Sequence, residues 1–301
     1  MNILIMGAGA IGSYFGGMLS RKSNVEFIAR KSHVDKINKN GLKIKGKTNL
    51  NLKIKAYKSV NELKKNFDLI ILSVKSYDTE KAIKEVKKFL SKDTAVMSLQ
   101  NGLGNIEIIS KYVPSEKILA CVTSNGVIFE KPGLIRHTGL GYTKVGSISN
   151  KKSNLVDEIV KIFNNSGIKT EKSNYIKKEI WIKTIVNSSI NPLTTFFKCK
   201  NGYLIKNPVL KKLVEQICKE STDIAKTYGI NLEFEDMFKK TISVIEDTKE
   251  NYSSMLQSYL FSKPPEIDSI NGYLVNIGKD KKVKTVLNEM VVYSVNLLYY
   301  K

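Results

Sequence analysis

A chain of 301 residues with 42% hydrophobic and 26% charged residues can bury a large core, favours two domains over one by length, and lies outside the range of disordered chains. The net charge of +21 invites an anionic partner, but only three of the 49 basic residues are arginine and the lysines stand singly or in short pairs. That diffuse field argues against a nucleic-acid module, which clusters Arg and Lys with stacking aromatics. Cys121, Cys199 and Cys218 are odd in number and lack C-x-x-C spacing, so a disulfide framework and a structural zinc site are disfavoured and a cytoplasmic setting is expected. No run reaches the roughly 20 apolar residues of a membrane-spanning helix, so no membrane partner is expected.

In chain order, Asn2 to Met6 is a short apolar run, followed by G-A-G-A-I-G and an apolar stretch through Leu19, which predicts strand, tight turn and helix. Gly7 serves the turn, Gly9 lets the backbone approach a pyrophosphate, and Gly12 lets helix pack closely on strand; the phosphates would meet the N–H groups and dipole of the helix N-terminus. The first twenty residues are uncharged but lack the basic start of a secretory leader, so they are read as structure. Val25 to Ala29 predicts the second strand of a βαβ unit. Where an NAD-preferring domain carries Asp or Glu, this chain has Arg30, Lys31 and Ser32, and a guanidinium suits the 2′-phosphate of NADP. The plainer reading of Arg30 is a solvated residue after a strand.

Strands at Asp68 to Val74 and Thr94 to Leu99 flank a helical stretch from Tyr77 to Leu90. Ligands gather beyond the carboxyl ends of such strands, which singles out Lys75 for the adenosine end of a cofactor and Asn101 for its ribose or the reacting ketone, although each also suits an ordinary loop. Lys117 to Gly146 reads as short strands and turns that extend the sheet, with His137 structural rather than catalytic. The expected fold is thus an α/β N-terminal Rossmann-type dinucleotide-binding domain, residues 1–170, followed by an all-helical C-terminal domain for substrate or dimerisation, residues 171–301.

In the second half a helix is expected from Lys151 to about Asn165, a crossing near Ile168, then helices over about 175–199, 208–228, 234–261, 266–278 and 283–300. Within Glu179 to Phe197, helical spacing puts Lys183, Asn187 and Asn191 on one face, with Trp181, Ile182, Ile185, Val186, Ser189, Ile190 and Leu193 on the other. Asparagine is a mediocre helix former, so two in register with a lysine suggest a purpose beyond helicity, the plainer reading being an ordinary wet face. Pro192 lacks an N–H and biases Asn191 away from helix, so the helix is expected to kink or stop there. No metal cluster or nucleophile elbow is found, which disfavours zinc and Ser-His-Asp hydrolases. The closing V-V-Y-S-V-N-L-L-Y-Y offers apolar surface for either core or a homodimer interface.

Four blocks together resemble the ketopantoate reductase (2-dehydropantoate 2-reductase) family: G-A-G-A-I-G-S-Y-F-G-G; S-V-K-S-Y-D followed by Q-N-G-L-G-N; K-T-I-V-N-S-S-I-N-P-L-T; and E-N-Y-S-S-M-L-Q followed by Glu266 in P-P-E-I-D-S-I-N-G. The likeness spans nearly the whole chain. It implies NADPH as cofactor, 2-dehydropantoate as substrate, and an active site in the cleft between the two domains. By this resemblance Lys183 is the general acid, Asn187, Asn191 and Asn201 surround the substrate, Asn251, Tyr252, Ser253 and Ser254 hold its carboxylate, and Glu266 lies near its hydroxyl and the nicotinamide end. Gly7, Ala8, Gly9, Ala10, Ile11, Gly12, Lys75, Asn101 and Val127 match cofactor contacts, with Asn101 also near the substrate. The family often has Arg-Pro-Thr before the glutamate where this chain has Lys263, Pro264 and Pro265, a departure that bears on the local turn more than on the chemistry. Rival expectations are a reductase of another branched 2-oxo acid or related ketone on the same scaffold and, more remotely, a non-catalytic NADP(H) sensor.

Overall fold

Near-continuous aliphatic runs build the centre of the main sheet, as parallel strands covered on both faces require. It takes β1 (Asn2–Met6), β2 (Asn24–Ile28), β5 (Lys55–Tyr57), β6 (Leu69–Leu72), β7 (Ala95–Ser98), β8 (Ile118–Thr123), β11 (Thr143–Ser147) and β12 (Glu171–Lys172), in the order β12-β11-β8-β7-β6-β1-β2-β5. All neighbours are parallel except β8 and β11. This computed structural model describes residues 1–149 and 154–299, so the expected helix start at Lys151 lies outside the described residues. Two compact units emerge: Met1–Gln100 with Asn105–Glu179, and Asn101–Gly104 with the chain from Ile180 onward.

In the first unit, β1 has β2 on one side and β6 on the other, so the chain reverses its direction of travel across the sheet at β1. The crevice beyond β1 is therefore the topological switch point where such sheets bind ligands. Helix α1 (Ala10–Leu19) lies over the sheet, and α2 (Lys31–Asn40), α3 (Thr79–Val86), α4 (Asn105–Ser110) and α5 (Leu155–Asn165) complete the unit. A second sheet corrects the expectation of a single extended one. Strands β3 (Leu42–Gly46), β4 (Leu50–Leu52), β9 (Gly126–Lys131) and β10 (Leu134–Gly139) pair as β4-β3-β10-β9. It covers α1 from outside: a Cβ at Gly17 would stand 3.1 Å from side-chain carbons of Leu42 and Ile44. Alternation alone does not say which sheet a short strand joins.

The second unit is helical: α6 (Ile176–Phe196), α7 (Tyr203–Lys206), α8 (Pro208–Thr227), α9 (Phe234–Asp247), α10 (Ser254–Leu260), a π-helical turn (Asp268–Gly272), α11 (Tyr273–Lys281) and α12 (Val286–Leu297). Trp181, Ile185, Ile190, Leu204, Val214, Ile217, Ile224 and Leu274 are among its core residues. Two expectations are corrected. The helix expected over 234–261 is two helices, because the Asn251 N–H turns back to the Thr248 carbonyl and the Ser253 side chain caps α10 by accepting from the Leu256 N–H. And of the kink or stop expected at Pro192, the stop does not occur, since α6 runs on to Phe196. The Ser188 carbonyl, which Pro192 cannot serve, accepts instead from the Asn271 side-chain amide at 3.1 Å. On α12 Val291 and Val295 are buried in the core, whereas Tyr293 and Leu297 are exposed. Among the described residues no helix is long and apolar enough to cross a membrane.

Candidate active site

The glycine-rich loop sits at the end of β1. Gly7 adopts φ +99°, a region glycine enters without strain, and a Cβ there would stand 2.7 Å from the Val74 backbone nitrogen at the end of β6. The N–H groups of Gly7 and Ala8 donate to the Ile28 carbonyl, which draws the loop against the end of β2 and so towards the exposed Arg30. A Cβ on Gly12 would meet the Gly7 carbonyl at 2.6 Å, so helix and loop touch there. At Gly9 a Cβ would meet nothing within 4 Å, so the space before it is open. The N–H groups of Ala10, Ile11 and Gly12, in the first turn of α1, have no intrahelical carbonyl to serve. An open space faced by first-turn N–H groups at a switch point fits a dinucleotide's pyrophosphate. Lys75 opens the 3-10 turn after β6. Val127 lies on β9, in the second sheet, and packs against the first unit's core.

A hydrogen-bond relay that the sequence does not announce braces this loop. Ser13 on α1 donates to the Ala8 carbonyl (3.1 Å) and lies 3.1 Å from Nε2 of the buried His33, whose Nδ1 accepts from the Gly133 N–H (2.9 Å). That pattern assigns the neutral Nε2–H tautomer, and burial pushes the imidazole pKa down to about 4. His33 thereby ties the glycine-rich loop to the first turn of α2, which begins next to Arg30, and to the β9–β10 turn. His137 is also buried, its Nδ1 2.9 Å from the Thr48 hydroxyl and its Nε2 3.0 Å from the Gly139 carbonyl.

In the second unit, Lys183, Asn187 and Asn191 lie along α6 at successive four-residue steps, Lys183 and Asn187 half-buried and Asn191 buried. The end of α6 is drawn to the 248–254 segment, because the Thr194 hydroxyl donates to Ser253 Oγ (2.7 Å). Asn201 joins the same cluster: its N–H donates to the Asn251 carbonyl (3.0 Å) and its Nδ2 to Thr248 Oγ1 (2.9 Å). Two amide atoms remain unpaired inside this packing, Asn191 Nδ2 and Asn201 Oδ1, both buried. A buried amide atom without a partner is costly, and a bound polar ligand is one way to relieve it. Tyr252 and Ser254 are exposed beside the buried Ser253. Asn101 belongs to the segment whose next residues reach the π-helical turn: Leu103 N–H donates to the Ser269 carbonyl (2.8 Å), and Ser269 Oγ donates to the Glu266 carbonyl (3.0 Å). Asn101 and the half-buried Glu266 are thus neighbouring parts of one unit, although 165 positions of sequence separate them. Among the described residues no group of His, Cys, Asp and Glu could hold a metal ion.

Sequence reasoning missed His33, Ser13, Asn271 and Asn288. Asn271 and Asn288 are buried polar residues inside apolar helical patterns, and that is the only signal they carry.

Two family models cover this architecture in sequence order, one described as ketopantoate reductase PanE/ApbA over residues 3–150 and one as its C-terminal part over residues 175–298. A curated 2-dehydropantoate 2-reductase of Pyrococcus horikoshii is 39% identical over 289 residues, covering 96% of this chain and 94% of that protein. Among solved structures, a D-mandelate dehydrogenase in a ternary complex with NADH and anilino(oxo)acetate superposes with a TM-score of 0.94 at 29% identity, covering 99% of this chain and 98% of that one. A PanE/ApbA family ketopantoate reductase from Ralstonia eutropha gives 0.91 at 28%, with the same coverage of both chains. With both family models matched in order, the fold they describe and a relative of that identity along nearly the full length, the chain belongs to the ketopantoate reductase PanE/ApbA family.

Proposed function

We propose that this protein is a cytoplasmic NADPH-dependent reductase that converts 2-dehydropantoate to (R)-pantoate, a step towards pantothenate and coenzyme A. The observation that carries the reading is the second unit's polar cluster, in which an ammonium on α6 shares a face with two amides and two buried amide atoms lack partners. The 39% identity to a protein named for this reaction supports the substrate. The open space at Gly9, the first-turn N–H groups of α1 and the guanidinium of Arg30 after β2 support a phosphorylated dinucleotide.

The bound cofactor supplies a hydride to the carbonyl carbon. As the carbonyl oxygen gains charge, the Lys183 ammonium stabilises it and delivers the proton that completes the alcohol. Asn187, Asn191 and Asn201 orient the substrate without adding charge that would compete with Lys183. Asn251, Tyr252, Ser253 and Ser254 supply the carboxylate's seat, with Ser254 the direct donor because it is exposed whereas Ser253 is buried. Glu266 receives the substrate hydroxyl. Gly7 to Gly12, Lys75, Asn101 and Val127 position the cofactor.

The near-superposition on a D-mandelate dehydrogenase with NADH favours a second reading, a reductase of a different 2-oxo acid that uses NADH. Steady-state turnover of 2-dehydropantoate and of the 2-oxo acid corresponding to mandelate, each with NADPH and with NADH, separates the two. Preferred turnover of 2-dehydropantoate with NADPH supports the first reading; preference for the aromatic substrate with NADH overturns it. Cofactor binding with no turnover of either would instead point to a sensor.

A further inference from the structure

Pro192 opens a gap in the backbone hydrogen bonding of α6. In a continuous helix the Ser188 carbonyl accepts from the N–H four residues on, and here that residue is a proline. The missing donor comes from another element. Asn271, fully buried in the π-helical turn, donates one N–H to the Ser188 carbonyl (3.1 Å) and the other to Asn288 Oδ1 (2.9 Å). Asn288 is held in turn: its side-chain amide donates to Glu220 Oε1 (2.7 Å), and the Glu220 carboxylate also accepts from the backbone N–H groups of Leu287 and Asn288 at the start of α12. The Asn271 amide therefore has a fixed orientation before it meets α6. Ser188 lies between Asn187 and Asn191, and Asn271 lies five residues beyond Glu266.

We propose that Asn271 is a positioning residue for substrate reduction: it uses the carbonyl released by Pro192 as a docking point that sets the distance and register between the Glu266 segment and the Lys183, Asn187 and Asn191 face of α6. A gap in a helix makes a stronger anchor than a surface contact, because the buried carbonyl freed there has no backbone donor of its own and depends on the side chain that reaches it. A π-helical turn is rare, and here it carries Asn271 to that carbonyl. This inference rests on the reductase reading above.

The test separates positioning from mere repair. Asn271→Ala orphans the Ser188 carbonyl and should lower Tm by roughly 3–8 °C. It should also lower kcat/KM for the 2-oxo acid by about tenfold or more while the NADPH Kd stays within about twofold. The Pro192→Ala/Asn271→Ala double variant restores a backbone N–H to Ser188 and also guards against a single variant that fails to fold. It should recover the part of the Tm loss that comes from Ser188, though not the part from Asn288 Oδ1, without recovering kcat/KM. Recovery of both would show that Asn271 only repairs the helix, and an unchanged kcat/KM in Asn271→Ala would likewise overturn the proposal. A wild-type chain assayed alongside that reduces no 2-oxo acid would remove the reductase reading and this inference with it.

Discussion

Lys183 carries the chemical step in the proposed reaction, so Lys183→Ala should lower kcat by roughly 10²-fold or more. The NADPH Kd should change much less, because the ammonium acts on charge developing at the carbonyl; an unchanged kcat would remove Lys183 from that role. Its register with Asn187 and Asn191 is legible from spacing alone, since a four-residue step on a helix returns to the same face. The burial of Asn191 and its unpaired Nδ2 are not legible, because they depend on what packs over that face. The other residue-scale prediction concerns acid. Buried neutral His33 has its pKa lowered to about 4, so the folded chain resists a proton that the unfolded chain takes up near pH 6.5. The stabilisation is whole above pH 6.5 and is lost as pH falls towards 4, at up to about 1.4 kcal/mol per pH unit. Burial lowers His137 in the same direction. Thermal unfolding followed from pH 7.5 to 4.5 should therefore show a falling Tm, with a shallower slope in His33→Asn; equal slopes would exclude His33 as a source.

At the scale of elements, α8 begins where N-P-V-L predicts it. Asn207 Oδ1 accepts from the N–H groups of Val209 (3.0 Å) and Leu210 (3.2 Å), and Pro208 fills the first helical position, where no donor is needed. Asn207→Ala should cost about 1 kcal/mol and Asn207→Gly a few tenths, read as a shifted urea midpoint at unchanged slope. An effect below experimental error for Asn207→Ala would mean that the cap is redundant. Local chemistry sufficed there because every partner lies within three residues. It was incomplete at Pro192, where the local rule for proline is sound but the compensating donor sits on a turn 79 positions away. The division of 234–261 into α9 and α10 is intermediate: Ser253 is a legible cap, but it sits inside a pattern apolar enough to pass for one long helix.

For the molecule as a whole, a net charge of +21 acts on anionic substrate and cofactor through the field rather than through any single contact. Raising ionic strength from about 0.01 M to 0.15 M shortens the screening length from about 30 Å to about 8 Å, so kcat/KM for the 2-oxo acid should fall while kcat holds nearly constant. A salt-independent kcat/KM would mean the charge plays no part in capture. The amino-acid sequence by itself determined the features whose causes are local or periodic: the strand, glycine turn and helix at the start, the parallel aliphatic strands, the Lys183 register and the capped start of α8. Only the tertiary structure decided that β3, β4, β9 and β10 form a sheet of their own, that His33 braces the glycine-rich loop, and that Asn271 supplies the hydrogen bond Pro192 lacks. Each of these joins residues far apart in the chain, and long-range pairing is chosen by which buried polar group finds a partner and which apolar face finds cover, neither of which a local pattern specifies.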